Sequence, residues 1–135
     1  MDSKPEVYMY ILMRTDLASM NPGKAVAQGA HAANACVAAA RTSDDKKLRD
    51  DLAAWEAQTE QSFGVTISLG TDEQRMRAAV KMARALGMHA QVCHDPTYPL
   101  IDGQVCHLIP LDTCAYVFAR KTDAEIVLNT FDLMP

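Results

Sequence analysis

Three polar side chains on an alanine-rich segment are the residues best placed to do chemistry. The segment MNPGKAVAQGAHAANACVAAA, residues 20–40, carries Lys24, Gln28 and His31. On a helix these three fall within an arc of roughly 60°. A lysine in the first helical turn, beside unpaired backbone amides and the positive helix end, can bind an anion. The stripe is therefore either the wall of a small site or a solvated face.

Other reactive groupings have the wrong spacing for the chemistry that they suggest. The loop before Lys24 lacks the GxxxxGK[ST] pattern of a P-loop, and the next residue supplies no hydroxyl for Mg²⁺. The dipeptides Cys93-His94 and Cys106-His107 offer zinc-ligand types, but neighbours in a strand point to opposite faces. No GxSxG elbow supports a serine nucleophile. We therefore predict no metal and no cofactor.

Length and composition favour one globular domain. The chain has 135 residues, of which 49% are hydrophobic, enough for one core and too few for two. The opening MDSKPEVY lacks the pattern of a secretory signal, and no apolar run approaches the roughly 20 residues that span a bilayer. We expect a cytoplasmic protein without a membrane segment, whose cysteines are free thiols packed as small apolar groups.

The charge distribution bears on nucleic-acid binding. A net charge of −4 argues against binding through the whole surface, because phosphate contacts need local Lys or Arg. Arg77, Lys81 and Arg84 nevertheless share one face of a predicted helix. They are candidates for contacting phosphates, and the alternative is a solvated face.

Apolar periodicity and capping residues predict the order β-α-α-β-α-β, a hairpin, then β-α. Strands are expected at 7–13, 63–69, 88–93 and 114–119, and helices begin at Pro22, at Thr42-Ser43, and at the capping boxes 71–74 and 122–125. The third helix is expected to bury Met76, Val80, Ala83 and Leu86 and to end at Gly87, and the last helix to run to about Phe131. This order predicts a single three-layer α/β domain over residues 1–135, with a mixed sheet of about four strands and helices on both faces.

The segment from His94 to Asp112 is the hardest to assign. Asp102-Gly103 allows a hairpin of 98–101 against 104–109. The alternative is a lid.

A family resemblance enters with the first strand, loop and helix. The stretch LMRTDLASMNPGKAVAQGAHAA resembles type 2 peptidyl-tRNA hydrolases, the archaeal and eukaryotic kind, which carry R-x-D-L followed by G-K-x-x-A-Q-x-x-H-A. The matching positions are Arg14, Asp16, Leu17, Gly23, Lys24, Ala27, Gln28, His31 and Ala32. The resemblance implies metal-independent hydrolysis of the ester that joins a peptide to the tRNA 3′ end, and a homodimer.

The resemblance also implies which residues are catalytic. Lys24 and His31 belong to the first motif, Asp95 corresponds to the aspartate that opens the family's D-A-G-R-T-Q segment, and Thr113 to the threonine ahead of the final strand. Asp95 or His31 could orient the attacking water, and Thr113 could donate a hydrogen bond. Lys24 could stabilise the oxyanion or hold the terminal phosphate.

Gly23 and Gln28 are expected to contact the substrate from the same motif, together with the basic residues of the third helix. The sequence departs from the family after Asp95, where the arginine, threonine and glutamine are missing and the loop before Thr113 is longer. Two alternatives to the hydrolase follow from this departure. One is a weakly catalytic member that binds RNA or protein, and the other is a hydrolase of a different ester or amide.

Overall fold

The computed structural model describes residues 6–135, so residues 1–5 of the predicted domain lie outside the described part. The chain alternates strands and helices in the predicted α/β order. The elements are β1 (Val7–Arg14), α1 (Pro22–Arg41), α2 (Lys46–Glu56), β2 (Thr66–Thr71), α3 (Glu73–Ala85), β3 (His89–Asp102), β4 (Val105–Arg120), α4 (Lys121–Leu128) and β5 (Asp132–Leu133).

The strands form one mixed sheet in the order β3-β4-β1-β2-β5. β1 runs parallel to β2 and antiparallel to β4, and β3 pairs with β4 as a long hairpin. The predicted mixed sheet is confirmed, and the two-residue strand β5 adds a fifth member at one edge.

The central strand β1 divides the core into two layers. Met9, Ile11 and Met13 pack with buried residues of α1 and α2, whereas Tyr10 and Leu12 pack with those of α3 and α4. This alternation follows from the two-residue period of a strand. Helices therefore cover both faces of the sheet, as predicted, and α1 and α3 lie on opposite faces.

Local signals set the ends of two helices as the sequence predicts. Asn21 caps α1, since its side chain accepts a hydrogen bond from the amide of Lys24 at 2.9 Å, and Pro22 occupies the first helical position. Gly87 follows α3 with a φ of 85°, a left-handed conformation that favours glycine.

Other predicted boundaries are wrong. The second helix begins at Lys46 with Asp45 as its cap, because the nearer carboxylate accepts from the amide of Lys47. The last helix begins at Lys121 without a side-chain cap and ends at Leu128 rather than near Phe131. Strong capping residues thus mark the region of a helix start but do not fix its first residue.

Phe63, predicted to begin the second strand, and Leu86, predicted to be buried, are both exposed. Strand β2 begins at Thr66, and Phe63 lies outside it with 53% of its surface exposed. Leu86 is 55% exposed, because α3 ends at Ala85 and the chain turns away at the following glycine.

The segment with the uncertain assignment forms a hairpin. Tyr98 pairs with Ile109 and Asp102 with Val105, so β3 and β4 continue outward as a two-stranded ribbon. We call residues 98–109 the arm. The predicted hairpin is confirmed, and its strands are continuous with the sheet.

Two expectations concern cysteines and membrane spans. Cys36 and Cys114 are buried as expected, but Cys106 is exposed on the arm and Cys93 is only partly buried. Within residues 6–135, no helix has the length and apolar character needed to cross a bilayer.

Candidate active site

Gln28 of α1 joins the two halves of the candidate site. Its Nε2 donates to Oδ2 of Asp95 at 2.7 Å, and its Oε1 accepts from the hydroxyl of Thr113 at 2.6 Å. Gln28 and Thr113 are buried, with 3% and 0% of their surface exposed, and Asp95 is 9% exposed. Buried polar groups of this kind rigidify a site when every member is paired. The three side chains therefore act as one unit.

An irregularity in the β3–β4 ladder turns Thr113 toward α1. Cys93 pairs with Cys114 and His94 with Asp112, so Thr113 is an extra residue on β4. At such a bulge, successive side chains no longer alternate between the two faces of the sheet. Thr113 thus lies on the same face as Cys114 instead of facing α3.

A second irregularity shapes the surroundings of Asp95. Asp95 pairs with Leu111 and Tyr98 with Ile109, which leaves two β3 residues opposite one β4 residue. The extra length lets Thr97 fold back, and its amide and hydroxyl donate to Oδ1 of Asp95 at 2.8 and 3.2 Å. Oδ1 thus accepts two hydrogen bonds, whereas among the described residues only Gln28 donates to Oδ2, which keeps a lone pair for a further donor.

The environment keeps Asp95 ionised. Burial raises the pKa of this carboxyl, but the hydrogen bonds from Gln28 and Thr97 and the nearby His31 lower it, and the net pKa lies below the usual value. At neutral pH the site thus contains a carboxylate, which can accept a hydrogen bond and orient its donor.

Lys24 brings a cation to the start of α1. Its Nζ donates to the carbonyl oxygen of Ser19 at 3.1 Å and lies 5.1 Å from the ring centroid of Tyr98. The Tyr98 hydroxyl in turn lies 2.9 Å from Oγ of Ser19. The lysine head is therefore held over an aromatic ring at the positive end of a helix.

His31 and Gly23 lie on either side of these groups along α1. His31 is exposed, on the flank of the helix that carries Lys24 and Gln28. Gly23 is exposed in the first helical turn, where a ligand can approach the backbone closely. The structure thus brings Gln28 together with Asp95 and Thr113, places Lys24 and His31 on the same flank of α1, and leaves Gly23 in the first turn of that helix.

The basic residues predicted to bind substrate lie elsewhere. Arg77, Lys81 and Arg84 are on α3, across the sheet from α1. Arg77 pairs with Asp112 at 2.5 Å, and Arg84 donates to Oε1 of Gln91 at 2.6 Å. Lys81 is exposed and forms no ion pair with any described residue.

Sequence reasoning gave Arg14 no role in the site, although it stands in the first motif. Its guanidinium donates to both carboxylate oxygens of Asp16, at 2.9 and 3.2 Å, and to the carbonyl oxygen of Asp112 at 3.0 Å. Asp112 immediately precedes Thr113, so Arg14 holds the bulge in place. The sequence signal for such a role was the position of Arg14, a charged residue at the end of an apolar strand.

Thr97 and Tyr98 were also missed as site residues. Their segment lacks the family's pattern, and their contacts depend on how β3 folds back at its bulge. For metals, residues 6–135 contain no group of three His, Cys, Asp or Glu side chains arranged to bind an ion.

The arrangement suits attack of water on an ester. An ionised carboxylate can orient the water or accept its proton, and a cation beside a helix N-terminus can stabilise a developing oxyanion. Thr113 is buried and donates its proton to Gln28, so its contact with the carboxylate is indirect.

Comparisons with known proteins give one family and no curated relative. The family model described as "Peptidyl-tRNA hydrolase PTH2" matches residues 7–127. This match spans β1 to α4 and includes every residue of the site. Comparison with curated protein sequences gives no match.

Proposed function

Because this chain belongs to the peptidyl-tRNA hydrolase PTH2 family, we propose that it hydrolyses the ester between peptide and tRNA and so recycles tRNA. The observation that carries the proposal is the buried unit of Thr113, Gln28 and Asp95, with Lys24 one helical turn before Gln28 on the same flank of α1. It combines a fixed base with a fixed cation, and ester hydrolysis requires both functions.

In this mechanism Asp95 acts on the water. Gln28 and Thr97 fix the carboxylate, which accepts a proton as the water oxygen attacks the ester carbonyl. The carbonyl oxygen then carries negative charge, and Lys24 stabilises it. His31, exposed on the same flank, is the alternative group for orienting the water. As the intermediate collapses, the bond from the carbonyl carbon to the ribose oxygen breaks and the proton on Asp95 passes to that oxygen, which releases the peptide acid and the ribose hydroxyl of tRNA.

The tRNA contributes a polyanion. Lys24 at the start of α1 can also hold the terminal phosphate, with Gly23 allowing close approach to the helix backbone. On the other face of the sheet, the exposed Lys81 of α3 offers a further cation, and attraction there can raise the rate of encounter with tRNA. Because the net charge is −4, binding should be weak and salt-sensitive.

The direct test measures release of N-acetyl-amino acid from N-acetyl-aminoacyl-tRNA at low and moderate salt. Lys24→Ala and Asp95→Ala are each expected to reduce kcat/KM by about 100-fold or more. Lys46→Ala is the matched control, because this lysine on α2 has a side chain that is 79% exposed. Circular dichroism checks that each variant is folded.

A second candidate is a binding module of the same family with little turnover. The contact of the Lys24 amino group with Ser19 favours it, because an occupied lysine is less available to an oxyanion. Filter binding of tRNA in the absence of any hydrolysis would support this module. The homodimer and the cytoplasmic location stay predictions, and sedimentation equilibrium tests the first.

A further inference from the structure

The arm exposes apolar side chains on both of its faces. Ile101, Val105 and Leu108 are 67%, 56% and 63% exposed. These side chains lie on both faces of the projecting ribbon, and grouped exposed apolar side chains can mark a surface that contacts a partner. The arm continues the strands that carry Asp95 and Thr113, so such a partner would be close to the site.

The ladder register assigns each arm residue to one of two faces. Paired residues share a face, and faces alternate along a strand. Tyr98 faces Ser19 and Lys24. The residues on its face are Leu100, Asp102, Val105, His107 and Ile109, and those on the opposite face are Pro99, Ile101, Cys106 and Leu108. We call the first set the site face and the second the outer face. The apolar residues of the site face are Val105, which is exposed, and Leu100 and Ile109, which are half-buried, whereas Ile101 and Leu108 lie on the outer face.

Charge excludes the tRNA half of the substrate from this surface. The sequence contains no Lys or Arg between Arg84 and Arg120, and Asp102 stands at the tip of the arm. Lys24 lies over Tyr98 at the base of the arm, but beyond Tyr98 the arm itself supplies no Lys or Arg, and the carboxylate at its tip repels a polyanion. An uncharged, partly apolar chain is the complementary ligand.

The edge of β3 is a poor place for adding another strand. Although β3 ends the sheet, Pro96 and Pro99 lack the amide hydrogens that an added strand needs. Recognition by the arm therefore uses side chains rather than backbone hydrogen bonds.

We infer that the site face of the arm binds apolar side chains of the peptide half of peptidyl-tRNA. This inference rests on the proposed function, and it adds a preference for the composition and length of the peptide. Leu100 lies two residues after Tyr98, and Val105 pairs with Asp102, which lies four residues after Tyr98. At the rise of a strand, these positions are about 7 and about 13 Å from Tyr98 along the arm. A peptide of about four residues or more reaches Val105, whereas a single blocked amino acid does not.

The experiment compares three substrates of the full chain: N-acetyl-glycyl-tRNA, an N-acetyl pentapeptidyl-tRNA rich in Leu and Val, and one of the same length rich in Gly and Ser. Val105→Ser is expected to lower kcat/KM about fivefold for the apolar pentapeptide alone. Leu108→Ser is the matched control on the outer face, with similar exposure, and should leave all three unchanged. An equal effect on all substrates, or a larger effect of Leu108→Ser, would overturn the inference.

A second measurement does not depend on turnover. The amide and methyl NMR signals of the protein are followed during titration with the apolar N-acetyl pentapeptide amide. Shifts at Leu100, Val105 and Ile109 support the inference even if no tRNA ester is cleaved, an outcome that would refute only the proposed function.

Three results of the NMR titration or of sedimentation would contradict the inference that the site face binds the peptide. One is the absence of any shift at the arm. Another is shifts at Val26 and Gly29, which line a cavity of about 610 Å³ on the other flank of α1. The third is a dimer of this chain that Val105→Ser dissociates, because the site face would then be an interface between copies.

Discussion

Nε2 of Gln28 lies 2.7 Å from Oδ2 of Asp95, although 67 positions separate the two residues in the chain. The opposite end of the same amide accepts from Thr113. A carboxylate only accepts and a hydroxyl can donate, so the two partners together fix the orientation of the amide. Gln28 therefore links the carboxylate of Asp95 to Thr113 at the bulge of β4. Its loss should change how activity depends on pH.

Gln28→Leu is expected to move the acid limb of the pH profile of kcat/KM to higher pH. The pKa of Asp95 lies below its usual value despite burial because donors such as Gln28 stabilise the carboxylate. Removing that donor raises the pKa, so the carboxylate protonates, and activity is lost, at a higher pH than in the unmodified protein. The pH profile of ester hydrolysis measures this shift.

The control for this variant is Asn34→Leu, which replaces an exposed polar residue of the same helix. It should leave the acid limb in place. An unchanged limb in Gln28→Leu, with a folded protein, would mean that Asp95 is not the titrating group.

Thr113→Val is expected to lower kcat about tenfold and to destabilise the fold by about 1–3 kcal/mol, because Oε1 of Gln28 is left buried without a donor. Thr113→Ser restores the hydroxyl and should recover most of both. Urea unfolding and steady-state kinetics separate the two effects. If Thr113→Val is fully active but less stable, Thr113 contributes to the fold and not to catalysis.

The placement of α1 could be predicted from sequence because its signals are local. Asn21 and Pro22 determine where the helix begins, and the spacing of Lys24 and Gln28 determines which side chains share a flank. The position of Thr113 depends on an extra residue in a pairing between distant strands. No local pattern encodes that bulge, and the family resemblance alone pointed to the threonine.

The placement of the charged residues on α3 could also not be predicted from local sequence. The common face of Arg77, Lys81 and Arg84 was visible in the sequence, but their position across the sheet from α1 depends on the packing of two layers. Periodicity predicts that a helix has a buried face without specifying the side of the sheet that it covers.

Arg14→Lys is expected to lower the free energy of unfolding by about 2 kcal/mol. The guanidinium is 9% exposed and bonds both oxygens of Asp16 as well as the carbonyl of Asp112, a planar fork that an ammonium cannot reproduce. Urea denaturation measures the loss. Arg41→Lys, at an exposed arginine paired with Glu56, is the control and should change stability little.

Lys81→Ala is expected to weaken tRNA binding and to reduce the slope of log Kobs against log salt by about 1. Lys81 is exposed on α3, so its ammonium is available for a phosphate. Filter binding over a range of salt concentrations gives the slope. Lys46→Ala, on the other layer, should leave the slope unchanged, and equal slopes for both variants would assign α3 to the solvated surface.

Gly64→Ala and Gly29→Ala are expected to change stability in opposite directions. A Cβ at Gly64 would overlap the backbone oxygen and the indole of Trp55, whose Nε1 donates to the carbonyl of Val65 at 2.9 Å. Relieving that overlap moves a buried tryptophan, at a cost of about 1–3 kcal/mol. A Cβ at Gly29 meets no atom within 4 Å, and alanine inside a helix stabilises by about 0.5–1 kcal/mol. Thermal and urea unfolding of both variants measure these changes in stability. If Gly64→Ala leaves the stability unchanged, the loop before β2 relaxes without disturbing Trp55.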